Sequence, residues 1–199
     1  MLPTLTFDLS IQPDWLYEVK YDGFRAILNW DHSGVTLTSR NDKPLLAQFP
    51  EIKDYLESQE ELFQPFLPLR LDGELVFLES PYKANFSSIQ VRGRMKAAKK
   101  IAEQAAKSPC RLMVFDILIL AGKTMNSKPF KKRKDELSRL FNELRLPLEA
   151  DPYSENLLQF VEAHTDFHKL WENVVLQDGE GIIAKHKNSL WEEGKRSIQ

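Results

Sequence analysis

Short apolar runs broken by Gly-containing turns dominate the first third of the chain. Leu16 to Lys20 and Phe24 to Trp30 are predicted as two strands, joined as a hairpin by the Tyr21-Asp22-Gly23 turn. Val35 to Ser39, after Asp31-His32-Ser33-Gly34, is predicted as a third strand of the same meander. Phe49 to Leu56 reads as a helix opened by Pro50 near its first turn. Leu69 to Leu78 is a strongly apolar strand carrying Asp72, Gly73 and Glu74 in its middle. Met95 to Lys107, rich in Ala and Lys, predicts a helix. Leu112 to Leu120 predicts another buried strand, interrupted only by Asp116. Helical spacing then places Leu137, Leu140, Phe141 and Leu144 on one stripe within Phe130 to Leu144. Phe167, Leu170, Trp171, Val174 and Val175 repeat the pattern behind a Thr165/Asp166 start signal. A last apolar strand, Glu180 to Lys185, leaves an Asp-Gly turn. Repeats, low-complexity tracts and linker-like stretches are absent from the sequence, so the pattern predicts one α+β domain over residues 1–199, with antiparallel sheets.

Composition narrows the class. A chain of 199 residues with 42% hydrophobic and 28% charged residues is long enough to bury a sizeable core. No apolar run reaches the ~18–20 residues that span a bilayer. The N-terminal residues lack a basic flank and a small-residue cleavage site, and Cys110 is the single cysteine. Together these predict a cytoplasmic protein without disulfides or a membrane partner. The four histidines have no zinc-type spacing. The net charge of -2 conceals an uneven distribution: eleven of the 27 Lys and Arg fall within 92–107 and 128–134, against one Glu. These runs are open to two readings, solvated helix faces or phosphate-neutralising surfaces.

Charges inside the predicted strands carry the chemical signal. Alternation puts Glu18 and Lys20 on one face, and Asp72 and Glu74 on one face, while Phe115 and Asp116 should point to opposite sides. Lys185 has the opposite parity to Glu180, so the two should not line one flat face without a bulge. Buried charges are costly unless paired, so Glu18, Lys20, Glu74 and Lys185 need either partners or a polar cleft. Structural readings stand beside these: a salt-bridge network for the strand charges, with Glu74 paired with Arg70 or Arg40, Phe115 as simple core, and Asp22 as a turn organiser.

The ordered segments Lys-Tyr-Asp-Gly-Phe-Arg (20–25), Ser-Arg-Asn (39–41), Leu-Asp-Gly-Glu-Leu-Val (71–76), Phe-Asp-Ile-Leu (115–118) and Asp-Gly-Glu-Gly-Ile-Ile-Ala-Lys (178–185) resemble the nucleotidyltransferase motifs of ATP-dependent DNA ligases. The likeness is strongest to the ligase domain of bacterial ligase D in its Bacillus-type form. Val-Thr-Leu-Thr-Ser-Arg-Asn, Gln-Val-Arg-Gly-Arg and Gly-Lys-Arg-Ser add to it.

The resemblance implies a nucleotidyltransferase, ATP-grasp-like fold whose nucleotide cleft lies between antiparallel sheets flanked by helices. It implies that Lys20 is the catalytic nucleophile, forming a lysyl-AMP phosphoramide from ATP. It further implies that Glu18 recognises the adenine amino group, Phe115 stacks on the base and Glu74 accepts from the ribose hydroxyls. Arg25, Arg40, Lys185 and Arg196 would contact phosphates, and Glu180 would hold Mg2+ or Mn2+. Desolvation and neighbouring cations would make Lys20 a better nucleophile. The implied partners are nicked or broken double-stranded DNA, the Ku end-binding protein and a ligase D polymerase domain, in the bacterial nucleoid. The family pattern continues with a Trp-Leu-Lys-type strand bearing two lysines and then an OB-fold domain. The sequence ends at Gln199, ahead of both. The 199-residue chain alone is therefore expected to adenylate poorly and not to seal nicks. Two alternatives stay open: an RNA ligase or capping-type nucleotidyltransferase, and a non-catalytic nucleic-acid-binding module.

Overall fold

The structure, a computed structural model, describes residues 13–192. In chain order it contains β1 (Trp15–Lys20), β2 (Phe24–Asp31), β3 (Gly34–Ser39), α1 (Pro50–Glu57), α2 (Glu60–Phe63), β4 (Leu69–Val76), β5 (Leu78–Ser80), β6 (Lys83–Ala84), α3 (Phe86–Gly93), α4 (Ala98–Lys107), β7 (Arg111–Leu120), β8 (Lys123–Thr124), α5 (Phe130–Glu143), β9 (Leu158–Phe160), α6 (Phe167–Leu176) and β10 (Gly181–His186). The large sheet has six strands in the order β3-β2-β4-β7-β8, with β9 sharing the outer edge of β7. All its pairings are antiparallel except β7–β9, which is parallel. Two smaller antiparallel sheets pair β1 with β10 and β5 with β6.

The first apolar core lies between the large sheet and α1, α3 and α5. Ala26, Leu28 and Trp30 alternate inward from β2, and meet Ile52 and Leu56 of α1, Ile89 of α3, and Leu137 and Phe141 of α5. Burying each Leu, Ile or Phe of this kind contributes about 1.5–3 kcal/mol. Inside the same core, Arg92 of α3 donates twice to Glu51 of α1 at 3.0 and 2.9 Å and once to the Gln48 carbonyl at 2.8 Å. A second, smaller core sits beneath the β1–β10 pair, where Tyr17, Val19 and Tyr21 meet Met113, Val161, Leu170 and Val174. Among the described residues, no helix is long and apolar enough to cross a membrane.

The predicted β1–β2 hairpin does not form. β1 pairs with β10 at the far end of the chain, and β2 pairs with β3 and β4. The reason is visible in β1 itself: Leu16, Tyr17, Glu18 and Val19 are all buried, so both faces of the strand are covered. Tyr21-Asp22-Gly23 acts as a crossover from one sheet to another. A Cβ on Gly23 would stand 2.1 Å from the Leu75 carbonyl oxygen, so this crossover runs flush against β4.

Three further differences concern local signals. α3 was not apparent in the sequence because Phe-Ser-Ser-Ile-Gln-Val-Arg-Gly has weak helix propensity; the Asn85 side chain caps it by accepting from Ser88 N at 2.9 Å. The helix expected from Met95 begins at Ala98, with no side-chain cap to extend it. The strand expected through Leu78 ends at Val76, and Leu78–Ser80 turns away to pair with Lys83–Ala84.

Candidate active site

Antiparallel pairing of the two chain-distant strands builds the first wall of the site. In the β1–β10 register Leu16 faces Lys185, Glu18 faces Ile183 and Lys20 faces Gly181. Directly opposed residues share a face, so Glu18, Lys20 and Lys185 project together. Glu180 joins them although its parity in the sequence was wrong for this. It lies just before β10, and Gly181 has φ +152, which releases Glu180 from the strand's alternation. The Lys20 Nζ forms a close ion pair with Glu180 Oε1, with side chains 36% and 35% exposed. The immediate charged neighbour of Lys20 is thus a carboxylate, not the cation expected from the sequence.

Deeper in the wall, the buried Glu18 carboxylate is held between two ammonium groups. Lys134 of α5 approaches Oε1 and Lys185 approaches Oε2. Lys134 also donates to the carbonyls of Phe115 at 3.0 Å and Val161 at 2.7 Å. Burial pulls the Lys134 pKa below the usual lysine value, while Glu18 opposes the shift. Lys185 Nζ stands 4.6 Å from the Phe115 ring centroid and 4.8 Å from that of Phe130, so its charge rests on two aromatic faces.

The second wall is the middle of the large sheet. Arg25 of β2 is opposite Glu74 of β4. Its guanidinium makes a fork to the fully buried Asp72, with Nε to Oδ1 at 3.0 Å and Nη2 to Oδ2 at 2.5 Å. Trp191 Nε1 donates to the same Oδ2 at 2.9 Å. Burial pushes the Glu74 pKa up to about 8, with Asp72 and Asp22 adding to it and with Arg25 and Lys20 drawing it down. Glu74 is therefore within electrostatic reach of Lys20, and the two walls converge there.

Phe115 and Asp116 correct the expectation from strict alternation. Gly73 pairs with Val114 and Asp72 with Asp116, which leaves Phe115 as the extra residue of a bulge. Both residues then serve one cluster. Phe115 lies 5.5 Å beneath the Arg25 guanidinium, while Asp116 accepts a fork from Arg133 of α5 at 2.8 and 2.9 Å.

The structure thus brings together Lys20, Glu18, Arg25, Glu74, Phe115, Glu180 and Lys185. Arg40 is exposed, in the turn just past Ser39, and Ser39 pairs with Ala26 next to Arg25. Arg196 lies outside the described residues. Glu74 meets neither of its suggested structural partners in register; Arg25 stands opposite it instead. The sequence reading missed Lys134, Arg133, Asp72 as the Arg25 anchor, and Trp191. A signal for two of them existed: Arg133 and Lys134 fall on the buried side of α5 with Phe130, Leu137 and Phe141. The solvated-face reading of the basic runs fails for those two and for Arg92, all buried; Lys96, Lys99, Lys100, Lys131 and Lys132 are exposed, as either reading of these runs requires.

Among the described residues, no group of three or more His, Cys, Asp or Glu is placed to hold a metal ion. A lone carboxylate such as Glu180 still fits Mg2+, which takes one or two carboxylates and completes its shell with water and substrate phosphates.

The sequence model of the ATP dependent DNA ligase domain matches residues 5–199. This chain belongs to the ATP-dependent DNA ligases. It is 44% identical over 197 residues to the bifunctional non-homologous end joining protein LigD of Bacillus subtilis (strain 168), covering 99% of this chain and 32% of that protein. It is 30% identical over 187 residues to DNA ligase C1 of Mycolicibacterium smegmatis, covering 92% of this chain and 50% of that ligase. Among solved structures, a mycobacterial DNA ligase D complexed with ATP and MES superposes with a TM-score of 0.70 at 26% identity, over 92% of this chain and 52% of the other. The Chlorella virus DNA ligase-adenylate matches in fold, with a TM-score of 0.61 at 15% identity, over 98% of this chain and 63% of the other. The fold is that of the nucleotidyltransferase-type ligases, and the chain spans a third to a half of the curated ligases named here.

Proposed function

We propose that this chain is the adenylating domain of a DNA end-joining ligase, and that Lys20 becomes covalently linked to AMP. The observation that carries this reading is the placement of Lys20 at the convergence of the two walls, beside Glu180 and within reach of Glu74. The Lys20 Nζ, once deprotonated, attacks the α-phosphorus of ATP. A P–N bond forms, the bond to the bridging oxygen breaks, and pyrophosphate leaves with that electron pair.

The other residues divide the substrate between them. Glu18 Oε1 is buried and meets Lys134 as an ion pair without an aligned hydrogen bond, so it can accept from the adenine amino group. Phe115, half-buried on its bulge, offers a ring face to the base. Glu74 takes the ribose hydroxyls, and Arg25, Arg40, Lys185 and Arg196 take phosphates. Glu180 would hold Mg2+ or Mn2+, which supplies charge neutralisation at the phosphates when bound. The activated AMP would then pass to a 5'-phosphate of nicked or broken double-stranded DNA. Ku and a ligase D polymerase domain are the partners proposed for the whole protein, in the bacterial nucleoid. Residues 1–199 are proposed as one adenylation domain, distinct from any OB-fold.

Incubation with α-labelled ATP and Mg2+, followed by denaturing electrophoresis, tests the reading. Acid-labile label on the protein that is lost in Lys20→Ala is the expected result. Label that survives that substitution would overturn the assignment of the nucleophile.

A further inference from the structure

Lys134 is a buried lysine whose ammonium group makes two hydrogen bonds and one ion pair, all to pocket elements. One hydrogen bond goes to the Phe115 carbonyl at the bulge of β7, one to the Val161 carbonyl just past β9, and the ion pair is to the Glu18 carboxylate of β1. The group is enclosed by aromatic rings, with the Phe160 centroid 4.7 Å away and that of Phe130 5.8 Å away. Its side chain is 6% exposed, whereas the second cation on Glu18, Lys185, is 15% exposed. A lysine inside an apolar helix face is costly to desolvate, and packing alone would be better served by Met or Leu. Its three contacts instead join the element bearing Glu18 to the one bearing Phe115. These are the two groups assigned to the base, so one buried side chain bridges the backbone of one and the carboxylate of the other.

We propose that Lys134 is a positioning residue for base selection: it fixes the orientation of Glu18 relative to Phe115, so that the pocket demands a purine with a 6-amino donor. The proposal rests on the adenylation reading. Lys185 is the more open cation, so Lys134 is the counter-ion that stays with Glu18 throughout binding. Without it, Glu18 keeps its ion pair with Lys185, the more exposed of its two cations. The carboxylate then turns towards Lys185 and loses its preference for an amino donor.

Calorimetric titration of the 199-residue protein without metal, using ATP and purine riboside triphosphate, reads the preference as a ratio of dissociation constants. The two ligands differ only in the 6-amino group. Wild type is expected to favour ATP by about tenfold or more, the scale of a hydrogen bond to a buried carboxylate. Lys134→Met and Lys134→Gln are expected to bring that ratio to about twofold or below as the charged acceptor turns away. Gln keeps donors for the two carbonyls, so it separates charge from packing. An unchanged ratio in Lys134→Gln overturns the proposal, since a merely structural role would weaken both ligands alike. Equal binding of both ligands by wild type overturns base selection by Glu18 and leaves the adenylation reading intact. Binding of neither overturns the adenylation reading, and this proposal with it. A readout independent of the variants is the nitrogen-15 ammonium spectrum of wild type: one exchange-protected lysine signal is expected and should persist on addition of ATP. Its disappearance on ATP addition would refute a permanent Lys134–Glu18 pair.

Discussion

Lys20 and Glu180 are 160 residues apart in sequence and form an ion pair, because β1 and β10 align Lys20 with Gly181, the residue after Glu180. The pair couples nucleophile and proposed metal carboxylate. Glu180→Gln should therefore affect labelling and metal response together. The concentration of Mg2+ giving half-maximal label is expected to rise by about tenfold or more, in line with loss of a direct carboxylate ligand. A metal titration of label incorporation checks this, and an unchanged midpoint would place the metal elsewhere.

Gly181 makes that pairing possible. Its φ of +152 is a conformation that L side chains rarely adopt, and no atom lies within 4 Å of where a Cβ would stand. Gly181→Ala therefore introduces conformational strain without a steric clash. The expected cost is about 1–3 kcal/mol, relieved by rotation of the backbone that carries Glu180. Denaturant unfolding should show that loss, and labelling of Lys20 should fall by more than stability alone explains. Full labelling in Gly181→Ala would show that Glu180 does not depend on this turn.

These two sites show what the sequence could and could not reveal. Lys20, Glu18 and Lys185 were legible because period-two alternation is a local rule, and β1 and β10 obey it. Glu180 was legible as a residue type, but its side was not, since one glycine φ decides it. The β1–β2 hairpin was misread because an Asp-Gly turn looks the same whether the chain folds back or crosses to another sheet. Phe115 and Asp116 were assigned to opposite faces because the bulge between them depends on the pairing partner. Neither reading of the basic run at 128–134 gives Lys134 a place inside the pocket, and the tertiary placement of α5 turns it towards Glu18.

Glu74 supplies a pH-dependent test. Its pKa is raised from the usual 4.5 to about 8 by burial. Between those values the unfolded chain has ionised while the folded chain retains the proton, so the folded state binds more protons. Stability contributed by this group therefore falls as pH rises from about 4.5 to about 8 and is level above that. Glu74→Gln removes the effect. The melting temperature of Glu74→Gln relative to wild type is expected to climb by several degrees from pH 5 to pH 8, followed by calorimetry. A difference that is flat across this window would mean that Glu74 is already ionised in the folded protein.

Asp72 has no exposed surface and accepts from both Arg25 and Trp191. Asp72→Ala leaves the Arg25 guanidinium without its fork and the indole N–H without an acceptor. Removing one partner of such a buried pair costs about 3–5 kcal/mol. Part of this is offset here, because Asp72 also raises the Glu74 pKa and its loss eases the ionisation of Glu74. The expected outcome is a clear drop in the denaturation midpoint together with a lowered Glu74 pKa, read by carbon-13 carboxyl titration. Wild-type stability in Asp72→Ala would show that the Arg25 fork is dispensable to the sheet.

Phe115 separates base binding from chemistry. Its ring lies under both the Arg25 guanidinium, at 5.5 Å, and the Lys185 ammonium, at 4.6 Å. Phe115→Ala removes the stacking face and one resting place of each cation. A base stacked on an aromatic ring is worth about 1–3 kcal/mol, so ATP affinity should fall by roughly fivefold to 150-fold. The rate of label incorporation at saturating ATP should change far less, because the cations over the ring are Arg25 and Lys185 while Lys20 pairs with Glu180. Phe115→Tyr should retain most of the affinity, since the ring face is kept. A fall in the saturated rate with unchanged affinity would place Phe115 in the chemical step and remove it from base binding.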